Sequence, residues 1–319
     1  MPILSLCGNV GANTGPISCD TRRAVPKVLM LGGASYDSTD YATQAAFQAA
    51  LLASINLATG DATKIFPFPE IQNVANNTEA NTTGATGLGF QFILREGKPA
   101  YTFGVIVGSN LEKQLRAFNN SIVPVFVFDS NGNVWGKLDA DGNFVGTQAL
   151  IFVAGKPFSD GNSVDTEYTN VHISFLSASE FFDDAAFVKT TFNITNLEGL
   201  LDATLYETAA HASNVYKIGA KVINTQLGAD QNLYTKYATE LGSASLWEAH
   251  TGTTFSTTLA LTSVAGDSTN KGWTVTTDTT AYAALASGTQ IRFRLKDPAT
   301  LLAAGVRGIE SIPIIVTKP

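Results

Sequence analysis

The chain has 319 residues, 45% of them hydrophobic, which is enough for one large domain or two ordinary ones with real cores and excludes a disordered protein. Only 15% are charged, against about 25% in typical soluble domains, and the formal net charge is −7. That balance excludes a phosphate-backbone binder, which needs clustered Lys and Arg to displace counterions; it suits either a non-adhesive channel wall or plain solubility.

The opening MPILSLCGNV lacks the basic segment and long apolar stretch of a secretory signal, and no apolar run approaches the ~20 residues of a membrane span. The expectation is a soluble intracellular product without a membrane partner. Sequons at Asn76, Asn81, Asn119 and Asn193 carry no information without a secretory route. Cys7 and Cys19 are read as free or structural thiols. A bridge between them in oxidising surroundings would close the Gly-rich loop CGNVGANTGPISC, for roughly 3 kcal/mol. With no histidine nearby in sequence, they do not make a metal site.

Residues 1–23 read as an extended arm ending in Arg22 and Arg23, and Val28–Leu31 as an apolar strand stopped by Gly32 and Gly33. Asp40 is expected to cap a helix to about Ala58, because Phe47, Leu51 and Ile55 share one face and Gly60 follows. From Thr63 to Gly89 periodicity disappears. The tract NVANNTEANTTGATGLG is long for a loop, and reads either as a contact arm or as a solvated loop. Leu88–Leu94 and Tyr101–Val107 are expected to pair as a hairpin around Arg95–Pro99. Ser109 to Glu112 reads as a capping box opening a helix with Leu111, Leu115 and Phe118 on one face, helped by a Glu112–Arg116 pair worth ~0.3 kcal/mol. Ser177 to Glu180 reads as a second box, before Phe181, Phe182 and Ala185, and Thr195 to Glu198 resembles a third.

The stretch VFVFDSNGNVWGKLDADGNFVG, Val125 to Gly146, reads as a meander of strands turned at Asn131–Gly132, expected as type I′, and at Asp141–Gly142. As a calcium loop it fails on spacing. From Asp129 the sixth and twelfth positions are Val134 and Ala140, and from Asp139 they are Phe144 and Leu150, where an EF-hand needs Gly and Glu. A looser ion site at Asp139 and Asp141 stays open. Ala149–Val153 and Thr169–Phe175 continue the sheet, with His172 on the wetter face beside Asn170 and Ser174.

A domain boundary is placed near residue 215, giving 1–215 and 216–319. Tyr216–Ile223 is a strand, and Ala229–Leu241 a helix bearing Leu233, Tyr234, Tyr237 and Leu241. Short Thr-rich strands follow at Thr253–Leu261, Trp273–Thr277, Gln290–Lys296 and Ile312–Val316. They predict a small immunoglobulin-like sandwich without the Cys-Trp-Cys hallmark. The fold class is therefore mainly β with a few short helices.

No nucleophile elbow occurs. Gly155–Lys156 lacks Walker A spacing, since position 150 is Leu, and GATGLG has the wrong order for a dinucleotide loop. His172, His211 and His250 stand alone, and Asp183–Asp184 reads as a solvated helix face unless burial shifts a pKa. Trp135, Trp247 and Trp273 suit packing, or stacking on sugars in a glycan-binding module. The expectation is a non-enzyme without cofactor, metal or catalytic residues.

In the order of its features the chain resembles the tail tube (major tail) proteins of tailed phages. Those features are the arm CGNVGANTGPISCD, the long polar loop, FQFILREGKPAYTFGVIVGSNLEKQLRAF, the meander with its Gly turns, and the immunoglobulin-like appendage. The pattern covers most of residues 1–215 without a strict signature. The resemblance implies a tail-tube-like β-barrel or sandwich and a virion protein assembled in the host cytoplasm. Its copies would form hexameric rings stacked into a tail tube. DNA would pass through the acidic lumen without specific binding, and other tail proteins would be partners. The arm and the Asn73–Gly89 loop would then join subunits, with Cys7, Asn13, Asn76, Asn77, Asn81, Thr82 and Thr83 as contact residues. The alternatives are a capsid or capsid-decoration protein, or a carbohydrate-binding adhesive β module.

Overall fold

The computed structural model describes residues 4–6, 23–155, 168–194, 197, 199–223, 230–252, 254–306 and 308–319. The protein is mainly β and divides into two compact units, Met1–Ile55 with Thr59–Glu198 and Asn56–Ala58 with Gly199–Pro319.

The first unit runs β1 (Leu4–Leu6), β2 (Pro26–Gly32), β3 (Ser35–Tyr36), α1 (Gln44–Ile55), β4 (Ile65–Pro67), β5 (Ile71–Asn76), β6 (Thr82–Ala85), β7 (Gln91–Arg95) and β8 (Ala100–Val105). It continues with α2 (Ser109–Leu115), β9 (Ser121–Asp129), β10 (Asn133–Leu138), β11 (Phe144–Val145), β12 (Thr147–Ala154), β13 (Thr169–Phe175), α3 (Ala178–Phe182) and β14 (Ala185–Lys189). All but β6 and β7 join one sheet, in the order β1-β14-β10-β9-β12-β13-β8-β5, with β2 and β4 attached at β9 and with β11 and β3 attached at β10.

β9 is the pivot. Its first half pairs with β12, its second half with β10 on that same side, and β2 lies along the other. The run VFVF is apolar at every position because both faces are covered. Phe126 and Phe128 pack with Phe47, Leu51 and Ile55 of α1, whereas Val125 and Val127 pack with Ala149, Ile151, Val171, Ile173 and Phe175. In β12 and β13 only alternate residues are buried, so each has one bare face, the arrangement the alternation in sequence predicts.

Both turns of the meander have one construction, in DSNGN and again in DADGN. Asp129 Oδ1 accepts from the backbone N–H of Asn131 and Asn133, and Asp139 Oδ1 from those of Asp141 and Asn143. Each loop has three residues with its glycine left-handed, Gly132 at φ 80° and Gly142 at φ 83°. Asn131 has no positive φ, so the expected type I′ turn is replaced by a glycine-bulge hairpin, which needs only one left-handed residue.

Several helix boundaries differ from expectation. Thr43, not Asp40, caps α1, accepting the Ala46 N–H on Oγ1, and the helix ends at Ile55, whose carbonyl is taken by the buried Lys64 Nζ at 3.0 Å. Asp40 instead closes the preceding turn on the Asp37 N–H. α2 is capped by Gly108 without a side-chain bond, so Ser109 is inside the helix rather than its cap. The Ser177 box does form, Oγ accepting from Glu180 N–H, yet Ala185 already belongs to β14. The third box, at Thr195 to Glu198, lies outside the described residues, Leu197 apart.

The second unit comprises β15 (Leu201–Ala212), β16 (Val215–Ile223), β17 (Asp230–Asn232), α4 (Tyr234–Tyr237), β18 (Trp247–Thr251), β19 (Thr257–Thr258), β20 (Leu261–Asp267), β21 (Gly272–Thr277), α5 (Thr279–Ala283), β22 (Gln290–Leu295), α6 (Pro298–Ala303), β23 (Ile309–Ile312) and β24 (Ile314–Thr317). One sheet, β20-β21-β16-β15-β23 with β17 on β16, faces a second, β19-β18-β22-β24, across a single core. Tyr216 meets Phe293 at 4.6 Å between ring centres and Trp247 meets Trp273 at 5.8 Å, which makes the unit a β-sandwich. A boundary at 215 would cut the β15–β16 hairpin at its turn; the compact unit takes the hairpin whole. The helix expected over Ala229–Leu241 is, from Asp230 on, a strand followed by the short α4 and a 3-10 turn at Glu240–Gly242, because Leu233 N–H bonds Ala220 O and draws β17 onto β16. Its apolar residues keep their role: Leu233, Tyr237 and Leu241 are buried.

The β20–β21 turn is held by Asp267, whose carboxylate takes Lys217 Nζ at 2.8 Å, Asn270 Nδ2 at 2.9 Å and two backbone N–H groups. The Lys217 hydrogen bond first, then those of Asn270, hold this carboxyl well below the usual carboxylate range. Because the folded value is depressed, the stabilisation is complete above the ordinary carboxylate value and is lost as pH falls toward the folded one. Lys217→Met is expected to lower the thermal midpoint of this unit at neutral pH and to flatten its decline between about pH 5 and about pH 2. Parallel midpoint curves for variant and wild type would contradict that role.

Candidate functional site

β6 and β7 stand apart as a two-stranded hairpin whose registers run Thr82↔Arg95 to Ala85↔Gln91. Its tip closes through Thr86 N–H to Phe90 O at 2.8 Å and Gly89 N–H to Thr86 O at 2.9 Å. At the base, Asn81 Oδ1 accepts Gly97 N–H and Arg95 pairs with Glu79 at 3.0 Å. Gly84 has no side chain because Phe92 and Leu94 lie across it: a Cβ there would be 2.9 Å from the Phe92 ring. Every residue of β7 is exposed, and Leu88 (86%), Phe90 (71%), Phe92, Ile93 and Leu94 present large apolar side chains to solvent. Apolar residues of both parities on an isolated ribbon have no core to enter. Such a ribbon alone is marginally stable in water.

The expected pairing of this strand with Tyr101–Val107 does not occur. β8 is flanked on both sides, by β13 and β5, so no edge remains for β7. The tract read as a polar loop contains β5, which ends the sheet and pairs only with β8 among the described residues. β5 therefore presents one open edge, a surface that invites pairing with another chain. Beside it lies a bare face. α1 covers Phe126 and Phe128, but on the same face Ile122, Leu150 and Phe152 are exposed, with His172, Thr102 and Ala75 in line beyond them. No Asp, Glu, Lys or Arg occurs in β5, β8, β12, β13 or the first half of β9.

Of the residues named as subunit contacts, Cys7 and Asn13 lie outside the described residues, as does Cys19. Asn76, Asn77, Asn81, Thr82 and Thr83 are all exposed, at the end of β5 and the foot of the hairpin. Asn77 reaches Thr102 at 2.5 Å and Asn76 accepts Thr78 N–H, so both shape the approach to the hairpin. The larger exposed apolar surface, Leu88 to Leu94, was hidden in sequence because FQFIL reads as an ordinary core strand; the signal was that both parities are apolar.

The residues considered for chemistry are dispersed. His172 Nδ1 lies 2.8 Å from Thr102 Oγ1 under Phe152, His211 pairs with Glu207, and His250 with Glu248. Asp183 and Asp184 are exposed after α3. Asp139 is engaged by its own turn, Oδ1 accepting the Asp141 and Asn143 N–H groups and Oδ2 the Asn143 amide. Among the described residues no group of three His, Cys, Asp or Glu side chains is placed to hold a metal ion, and no helix is long and apolar enough to cross a membrane. Trp135, Trp247 and Trp273 are all buried, so none stands exposed on a sheet face. No protein-family model and no curated protein matches this chain.

Proposed function

We propose that this chain is a self-assembling structural protein, and that its assembly is the stacked-ring tube of the phage tail proteins it resembles, with DNA passing through the lumen. The carrying observation is the β6–β7 hairpin, whose large apolar side chains stay exposed and enter no core among the described residues. Burying each such side chain contributes ~1.5–3 kcal/mol, a strong drive toward a protein partner. The open β5 edge and the uncharged face beside it supply further surface for a neighbour. A hairpin that docks in one direction onto a different surface of its neighbour makes a head-to-tail contact, the kind that generates rings or filaments.

The test is light scattering with negative-stain microscopy on the full chain and on a variant with Thr82–Arg95 replaced by two glycines. Wild type is expected to form rings or tubes of uniform width, and the variant to remain a folded monomer. Wild type that stays monomeric at high concentration would end the proposal, and polymers unchanged in the variant would remove the hairpin from it.

A further inference from the structure

The first unit contains a partly open cavity of about 190 Å³ walled by Tyr101, Phe103, Val127, Trp135, Phe175 and Phe181. Arg23 closes one side, its guanidinium 4.2 Å from the Phe181 ring centre and 5.0 Å from that of Trp135, a cation over two aromatic faces. The one carboxylate among the described residues of the wall, Asp129, is engaged. Its oxygens accept from Trp135 Nε1 at 2.7 Å, Asn133 Nδ2 at 3.0 Å and the backbone N–H groups of Asn131 and Asn133. The Arg23 guanidinium donates to the Phe181 carbonyl. A wall that is mainly aromatic, with its Asp129 carboxylate and Arg23 guanidinium already engaged, favours an apolar occupant. An apolar cavity of about 150 Å³ accepts benzene, so this one has room for a phenyl ring.

We infer that the phenyl ring of Phe90, at the tip of the β6–β7 hairpin, seats in the Arg23–Trp135–Phe181 cavity of a second copy of this chain. Phe90 lies beyond the last paired residues of the hairpin, Ala85↔Gln91, and makes no ring contact among the described residues. It is 71% exposed, so it does not occupy the cavity of its own chain. Phe92, by contrast, lies over Gly84. The five exposed apolar side chains of the hairpin present on the order of 600 Å², most of the ~800 Å² per partner that a stable interface buries. A ring and a cavity on the same molecule join copies either in one direction, which propagates, or reciprocally in a closed pair; the self-assembly proposed above requires the first. The inference rests on the self-assembly proposed above and names where the hairpin docks.

The test measures the critical concentration for polymerisation by light scattering, with thermal midpoints as a folding control. Phe90→Ala is expected to raise that concentration at least tenfold with an unchanged midpoint, because the residue is exposed in the monomer. Ala24→Phe, which fills the cavity from its rim, is expected to do the same from the receiving side. In a Cys7→Ser, Cys19→Ser background, Phe90→Cys with Ala24→Cys is expected to give disulfide-linked ladders beyond the dimer on oxidation, whereas either single cysteine gives dimers at most. If wild type polymerises while neither Phe90→Ala nor Ala24→Phe shifts the critical concentration, the docking assignment is overturned and self-assembly stands. A loss of polymerisation in Leu88→Ala but not in Phe90→Ala would also overturn it. A wild type that never polymerises removes both.

Discussion

Asp129→Ala is expected to destabilise the first unit by about 3–4 kcal/mol, since it removes a buried acceptor and leaves several donors unmet. The carboxylate is 2% exposed and stands at the junction of β9 and β10. It bonds the turn through Asn131 and Asn133, the core through Trp135 Nε1, and the chain entering β2 through Ala24 N–H at 3.4 Å. Removing it strands an indole N–H and a side-chain amide at a 2%-exposed position without their acceptor. Asp129→Asn, which keeps one oxygen acceptor, is expected to recover roughly half of the loss. Urea unfolding followed by Trp135 fluorescence, in a background with the other two tryptophans replaced by phenylalanine, reads the first unit. A loss below about 1 kcal/mol would show that the turn holds without its carboxylate.

In the second unit the largest effect is expected at Trp273. It is fully buried between the two sheets, against Trp247, with Tyr234 at 5.4 Å and its Nε1–H bonded to Ala238 O at 3.2 Å. Truncating a tryptophan in such a site costs about 3–5 kcal/mol, the lost transfer free energy plus the cavity left behind. Trp273→Ala should therefore lower the calorimetric transition of this unit strongly, and Trp273→Phe should lower it less. Equal midpoints for Trp273→Ala and wild type would mean that the indole does not support the sandwich.

Much of the molecule is legible in the residue order. Strands with one wet face, such as Gln290–Leu295, announce themselves by alternation, and the two Asp-x-x-Gly-Asn turns by their local chemistry. Both signals act over a few residues, where a side chain's preference is settled by its neighbours in the chain. The mispaired hairpin shows the limit. Arg95–Pro99 is an adequate turn, yet β8 is claimed on both edges by β13 and β5, and that choice depends on how the whole sheet packs. The Ala229–Leu241 segment shows it again: its apolar spacing fits a helix, but backbone bonds to β16 hold its start as a strand while the same side chains still reach the core.

By itself, then, the sequence determined a β-rich chain of low charge, the faces its alternating strands turn inward, and the turns between neighbouring strands, because those depend on periodicity and local bonding. Only the tertiary structure decided that FQFIL stands outside the core, that the three tryptophans are interior, and that Arg23, Trp135 and Phe181 enclose a cavity. Hydrophobicity measures a tendency to leave water; whether a given side chain leaves it within its own chain or against another depends on how much interior the rest of the fold provides.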